Sequence, residues 1–243
     1  MRLRVIRDGA RSGAENMAAD ARLLEAHRPG DDPVLRLYRW SPPAVSYGYH
    51  QRAADFDAEA VARRGYGLVR RPTGGRAILH ADELTYAVVG DARSALFGDS
   101  LHAAYASVNS ALLLFVRRLG LSPDVSAGES LAAARDAVCF ASAGRHEITV
   151  GGRKLIGSAQ RRLASGFLQH GSILTGQGHV DLLACLRGDV DGQEQRARLR
   201  AATTDLAQLL GRELAVADLD GFADALVEAF AETFRCGTYA GGA

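Results

Sequence analysis

Cys139 and Lys154 stand fifteen residues apart in the stretch CFASAGRHEITVGGRKLIGSAQ, which therefore holds a potential nucleophile and a cation. A thiolate, not a thiol, attacks acyl carbons, and an unperturbed cysteine with a pKa near 8.5 is mostly protonated at neutral pH. An ammonium about 6 Å away, at an effective dielectric of about 20, favours the thiolate by about 3 kcal/mol, or about two pKa units. The same cation can steady the oxyanion of a tetrahedral intermediate. Lys154 is also the one lysine in the chain, since the other 28 of the 29 Lys and Arg residues are arginine. An ammonium is a compact point charge whose proton affinity responds to burial, a property arginine lacks. Plainer readings stand beside these: an inert buried thiol for Cys139 and a solvated charge at a hairpin end for Lys154.

A second group of candidates is Arg70, Arg71, Pro72, Thr73, Gly74, Gly75, Arg76 and His80. Adjacent glycines leave a backbone that a ligand can approach closely, with amide donors exposed. Flanking guanidinium groups suit a carboxylate, a phosphate or a thioester carbonyl. A plain β-turn with solvated arginines fits the same residues. His80, His146 and His170 are possible proton carriers, because histidine titrates near neutrality; for His170, inside an expected strand, a supporting role in the core is the simpler expectation.

Several elements must position these groups. Residues 2–7 read as a strand, and Ser12 with Glu15 makes a capping box that opens a helix through about Ala26. Val34–Trp40 and Ala44–Tyr49 read as strands around Pro42 and Pro43, Asp57 caps a short helix ending at Gly65, and residues 67–89 read as two or three strands interrupted at Gly74 and Gly75. Ser100 caps a long helix that Gly120 and Pro123 end. His146–Val150 and Lys154–Ala159 flank Gly151-Gly152, the signature of a tight hairpin that can bring side chains distant in sequence to one end of a sheet. Phe167–Leu174 is a further strand, and helical periodicity follows near 179–186, 193–200, 204–210 and 218–234. A soft boundary falls near residue 178, dividing an expected catalytic domain, 1–178, from a helical extension packed on it, 179–243.

At 243 residues the chain can bury a substantial core, and its 47% hydrophobic and 23% charged content is that of a globular protein. A net charge of +1 points to neither nucleic acid nor an acidic membrane surface. No apolar run reaches the roughly 18 residues of a membrane span, and the N-terminus lacks a secretory pattern, so a cytoplasmic location is expected. Cys139, Cys185 and Cys236 are widely spaced without a CxxC, which argues against a disulfide framework and a zinc site.

Taken together, RRPTGGRAILH, Tyr86 in a strand, GRKLIGSAQRR and LQHGSIL resemble the lipoate-protein ligase and octanoyltransferase family, over roughly residues 30–175. The resemblance implies an α/β (α+β) fold of the biotin/lipoyl-ligase kind, with a mixed, largely antiparallel sheet flanked by helices. It implies that Arg71, Gly74 and Gly75 line an acyl pocket and that Lys154 contacts the reacting carbonyl. Arg76, His80, Gly157, Ser158, Ala159, His170 and Gly171 join the substrate-binding set on the same basis. A cysteine placed like Cys139 is similar to the octanoyltransferase branch, where it carries the acyl group as a thioester. That implies transfer from acyl carrier protein to a lysine of the glycine cleavage H protein or a 2-oxoacid dehydrogenase lipoyl domain, with no ATP, metal or other cofactor. The helical tail is shorter than the accessory domain of large ligases, in keeping with this branch. The alternatives are an ATP-dependent lipoate-protein ligase, an amidotransferase using octanoylated H protein as donor, and a non-catalytic acyl or lipoyl-domain binder.

Overall fold

The computed structural model describes residues 1–126, 128, 146–188 and 191–242. In chain order its elements are β1 (Arg2–Arg11), α1 (Gly13–Ala26), β2 (Val34–Trp40), β3 (Ala44–Tyr47), α2 (Ala58–Arg63), β4 (Gly67–Arg70), β5 (Ile78–His80) and β6 (Glu83–Asp91). There follow α3 (Leu101–Arg118), β7 (Pro123–Val125), β8 (Ile148–Val150), β9 (Arg153–Arg162), β10 (Gly166–Leu174), α4 (Gln193–Ala202), α5 (Leu206–Leu210), α6 (Val216–Phe234) and β11 (Gly237–Ala240).

Strands buried on both faces belong at the centre of a sheet, and β6 and β10 are of that kind along nearly their whole length. They pair antiparallel in the middle of an eight-stranded sheet of order β11-β1-β2-β6-β10-β9-β8-β7. Only the β11, β1 and β2 end is parallel. A second sheet, β4-β3-β5, carries the strands on either side of the glycine loop.

Alternation along the central strands divides the core in two. Leu35, Leu37, Tyr86, Val88 and Phe167 pack against Val108, Leu112 and Phe115 of α3 and Leu226 and Phe230 of α6. Val34, Tyr38, Ala87, Val89 and Leu168 point to the other face, where Met17 and Leu24 of α1 cover them. The capping box of α1 forms as expected: the Ser12 hydroxyl accepts from the Glu15 amide, and the Glu15 carboxylate accepts from the Ser12 amide at 3.0 Å. The mixed α/β architecture, with a large, mostly antiparallel sheet flanked by helices, is the one the sequence implies.

Two features of the tail differ from the expected run of helices. Gly178–Cys185 is 3₁₀ rather than α-helical. After α6, Arg235 takes a left-handed conformation (φ 50°), and Gly237–Ala240 then pairs parallel with Arg2–Val5 as an edge strand. This strand is largely exposed and has no alternating apolar pattern of its own. Its partner at the opposite end of the chain determines its conformation.

Candidate active site

The Gly151-Gly152 turn sets the geometry of Lys154. Both glycines have positive φ, 57° and 73°, which satisfies a two-residue primed turn and pairs Val150 with Arg153 and Thr149 with Lys154. A register shift follows in the β8/β9 pairing, where Ile148 faces Ile156. Lys154 is only 2% exposed. Its ammonium donates to the Glu147 carboxylate, just ahead of β8, in an ion pair whose side chains are 3% and 13% exposed. A buried ammonium needs such a counter-charge, since desolvation otherwise favours its neutral form. The Lys154 side chain crosses Gly157, and a Cβ there would lie 2.6 Å from Lys154 Cε.

Across the cleft the glycine loop is built around Arg71. Its guanidinium donates to the carbonyls of Gly74 (2.7 and 3.1 Å), Arg76 (2.7 Å) and Ser46 (3.1 Å). Arg71 therefore uses most of its five donors as a staple for its own loop, which sequence reasoning alone presented as open to a ligand. Gly75 passes directly over the guanidinium in a left-handed conformation (φ 88°).

His170 and His80 support this wall from below. His170 Nδ1 bonds Asp20 Oδ2 at 2.8 Å, and Nε2 bonds Thr73 Oγ1 at 2.7 Å. Burial holds the imidazole pKa below its usual value despite the Asp20 carboxylate, so the ring is neutral at pH 7. The Nδ1 proton then donates to Asp20, and Nε2 accepts from the Thr73 hydroxyl. His80 bonds Ser46 (2.7 Å) and Glu83 (2.9 Å), and its ring stacks on Trp40 at 3.8 Å. On the floor, Ser158 Oγ and Tyr86 OH are 2.7 Å apart, Gln169 donates to Tyr86 at 3.0 Å, and burial pushes the Tyr86 phenol up to about 12.

The resulting cleft has a volume of about 110 Å³. Met17, Tyr38, Trp40 and Ile78 provide its apolar surface, while Lys154 and Glu147 lie on the opposite wall with Gly157, Ser158 and Ala159. Arg71, Gly75, Arg76, His80, His170 and Gly171 also line it. Gly74 belongs to the loop held by Arg71. Cys139 lies outside the described residues. The other two cysteines line no part of the cleft: Cys185 is buried in a separate cluster, its thiol pushed up to about 11 by burial, and Cys236 is half-buried. Among the described residues no group of three or more His, Cys, Asp or Glu side chains is placed to hold a metal ion.

The cleft thus gathers Lys154, the residues of the 157–159 segment and the stapled glycine loop around one apolar space. The lipoyl protein ligase A/B catalytic-domain pattern matches residues 12–231, most of the chain. The chain belongs to this family. Octanoyltransferase LipM of Kyrpidia tusciae is 42% identical, covering 94% of this chain and 86% of that protein. Octanoyltransferase LipM of Symbiobacterium thermophilum is 40% identical, covering 96% and 88%. Among solved structures, lipoate-protein ligase A bound with ATP superposes with a TM-score of 0.79 at 24% identity, covering 100% of this chain and 90% of that one. The bipartite lipoate protein ligase of Thermoplasma acidophilum gives 0.79 at 22% identity, covering 100% and 88%. These structures establish the lipoyl-ligase fold.

Within this lipoyl-ligase fold, Thr73 and Tyr86 of the motif stretches contact His170 and Ser158, while Asp20, Ser46, Glu83, Glu147 and Trp40, which the motifs do not contain, make the other supporting contacts. Glu147 and Glu83 left a local signal, the first flanking the same hairpin as the sole lysine and the second three residues from His80. Asp20 is 150 residues from His170 and left none.

Proposed function

We propose that this protein is an octanoyltransferase of lipoate assembly, working through a Cys139 thioester. The observation that carries the reading is the buried Lys154 ammonium on the wall of an apolar cleft, in a chain whose relatives across nearly its full length are named octanoyltransferases. The Cys139 thiolate attacks the carbonyl of an octanoyl thioester on acyl carrier protein. The carrier's thiolate leaves and takes up a proton, and an acyl-enzyme remains. A lysine amine of a lipoyl-domain protein, such as the glycine cleavage H protein or a 2-oxoacid dehydrogenase component, then forms the amide, loses a proton and expels the cysteine thiolate. Lys154 steadies the oxyanion in both halves. Exchange between thioesters is nearly isoenergetic and thioester to amide is downhill, so the chemistry needs no ATP.

Met17, Tyr38, Trp40 and Ile78 offer the apolar surface for the chain, whose six methylenes are worth about 5 kcal/mol when fully buried. In this reading residues 1–178 carry the chemistry and 179–243 brace it; the Thr204 amide donates to the Lys154 carbonyl at 2.9 Å. No helix among the described residues is long and apolar enough to cross a membrane.

The test mixes enzyme with octanoylated acyl carrier protein and no ATP, and weighs the intact protein. One added octanoyl group, released by hydroxylamine and absent in Cys139→Ser, supports the reading. Transfer that requires ATP, or that survives Cys139→Ser, overturns it in favour of the ligase, which the named relatives do not favour.

A further inference from the structure

The floor of the cleft crosses four adjacent strands. Gly157 of β9 pairs with Ser172 of β10, Ser172 with Thr85 of β6, and Thr85 with Tyr38 of β2, and all four residues line the cleft. With about 4.8 Å between neighbouring strands, Thr85 lies about 10 Å from Gly157. The Lys154 side chain crosses Gly157 at one end of this row. Toward the other end Trp40 donates from Nε1 to Thr85 Oγ1 at 2.7 Å. Other polar side chains of the lining turn their hydrogens away from the cleft. Tyr38 and His170 donate to Asp20, each at 2.8 Å. Thr85 and Ser172 donate to Glu83 Oε1, the latter at 2.9 Å, and His80 Nδ1 bonds the same oxygen at 2.9 Å. The two carboxylates that collect these bonds are 0% and 5% exposed and lie behind the lining. Asp20 has Arg36 as its counter-ion at 2.7 Å. Among the described residues Glu83 has no arginine or lysine within ion-pair distance, and its Oε2 is buried without a hydrogen-bond partner. Ser172 and Thr85 therefore offer the cleft oxygen lone pairs with an anion behind them.

We propose that Glu83, acting through Thr85, Ser172 and His80, sets the acyl specificity of the cleft: plain hydrocarbon chains and chains with a hydrogen-bond donor near the far end are admitted, and chains with an acceptor there, such as an oxo group, are rejected. The position of the chain rests on the octanoyltransferase reading. A chain whose carbonyl sits at Lys154 lays its distal carbons over Ser172 and Thr85, against Trp40. A buried acceptor that meets no donor gives up its hydrogen bonds to water without replacement. The Glu83 charge adds to this cost by opposing the acceptor's partial negative charge in a site of low dielectric. A hydroxyl on the same carbon keeps a bond by donating to Ser172 or Thr85. A saturated chain has no polar group to desolvate, so the same wall that rejects an acceptor serves it as a neutral surface. Glu83 itself does not line the cleft, which makes it a positioning residue for the three side chains that do.

The experiment compares pantetheine thioesters of octanoyl, 7-hydroxyoctanoyl and 7-oxooctanoyl groups in single-turnover acylation without acceptor. The last two differ by two hydrogens, so size is held constant. In wild type the oxo chain should react at least about tenfold more slowly than the hydroxy chain at subsaturating donor, the factor expected for one unmet buried acceptor. Glu83→Gln removes the charge and brings an amide N–H₂ within reach of the two hydroxyl oxygens, which frees a hydroxyl hydrogen for the cleft. The hydroxy-to-oxo ratio should then fall at least about fivefold, whatever the variant does to octanoyl transfer itself. A role of Glu83 confined to holding the fold would slow all three donors alike and leave the ratio unchanged. Equal rates for the hydroxy and oxo chains in wild type, or a wild-type ratio in folded Glu83→Gln, would overturn the proposal; the first comparison needs no variant. Calorimetric titration with the matching amides, which cannot be transferred, reads the same discrimination as affinities. Acylation by none of the thioesters, with the order of affinities retained, supports the specificity and counts against the thioester reading alone. Acylation without discrimination counts against the specificity alone.

Discussion

Replacing Glu147 with glutamine tests whether this carboxylate holds the Lys154 ammonium in place on the cleft wall. The side chains of the pair are 3% and 13% exposed, so screening by solvent is weak. Removing one partner of a buried pair costs about 3–5 kcal/mol. Glutamine keeps an acceptor oxygen, so the lower end, about 3 kcal/mol, is the appropriate figure for the loss of stability. A misplacement of the ammonium by about 1 Å costs about a hundredfold in rate. Acylation by octanoyl-pantetheine, a small thioester donor, should therefore fall about a hundredfold in Glu147→Gln, while Glu147→Asp, which keeps the carboxylate on a shorter stem, should recover part of that loss. Quenched-flow acylation set against a denaturant titration reads both quantities. Acylation within about threefold of wild type in Glu147→Gln, or an equal loss in Glu147→Asp, would refute the reasoning and reduce Glu147 to a packing role.

Two further outcomes follow from distances and burial. Gly157→Ala puts a methyl group 2.6 Å from Lys154 Cε and 2.9 Å from Nζ, well inside the ~3.5–4.0 Å of normal contact. The lysine must swing away by about 1 Å, so acyl transfer should fall about a hundredfold while stability drops by no more than about 1–3 kcal/mol; kinetics set against a melting curve checks this, and activity within about threefold of wild type would contradict it. His179 is depressed from 6.5 to about 4 and is 1% exposed, so its stabilising neutral form is fully present above pH 6.5 and is lost as pH falls toward 4. Folding free energy from denaturant titration should drop by about 2 kcal/mol between pH 7 and pH 5 from this group, and His179→Gln should flatten that slope; identical slopes would count against it.

Local chemistry made much of the scaffold legible in the sequence. The Ser12 capping box bounds α1, Ser100 opens α3, and the paired glycines 151 and 152 fix the hairpin. Each is decided by hydrogen bonds or φ angles within a few residues. The strand at 237–240 is decided by its partner at 2–5, which no local pattern reports. The site divides along the same line. The glycine loop and Lys154 stand out in the sequence, but the Ser46 carbonyl that accepts from Arg71, the Asp20 contact to His170 and the Ser46 contact to His80 depend on which segments the fold brings together.

The single lysine among 28 arginines has a structural counterpart in how buried cations are used. Arg36, fully buried, divides its donors among Asp8 (2.6 Å), Asp20 (2.7 Å) and Asn16 (2.8 and 3.3 Å). Arg71 does the same with two loop carbonyls and that of Ser46 in β3. A rigid fork with five donors suits sites that must tie several acceptors together, and it cannot give up its proton. Lys154 sits where Glu147 and the cleft share one small cation, with Gly157 leaving space for a narrow stem and not for a planar fork. The chain thus uses arginine where a buried cation must tie several acceptors together and lysine where a compact charge sits beside Glu147 on the cleft wall.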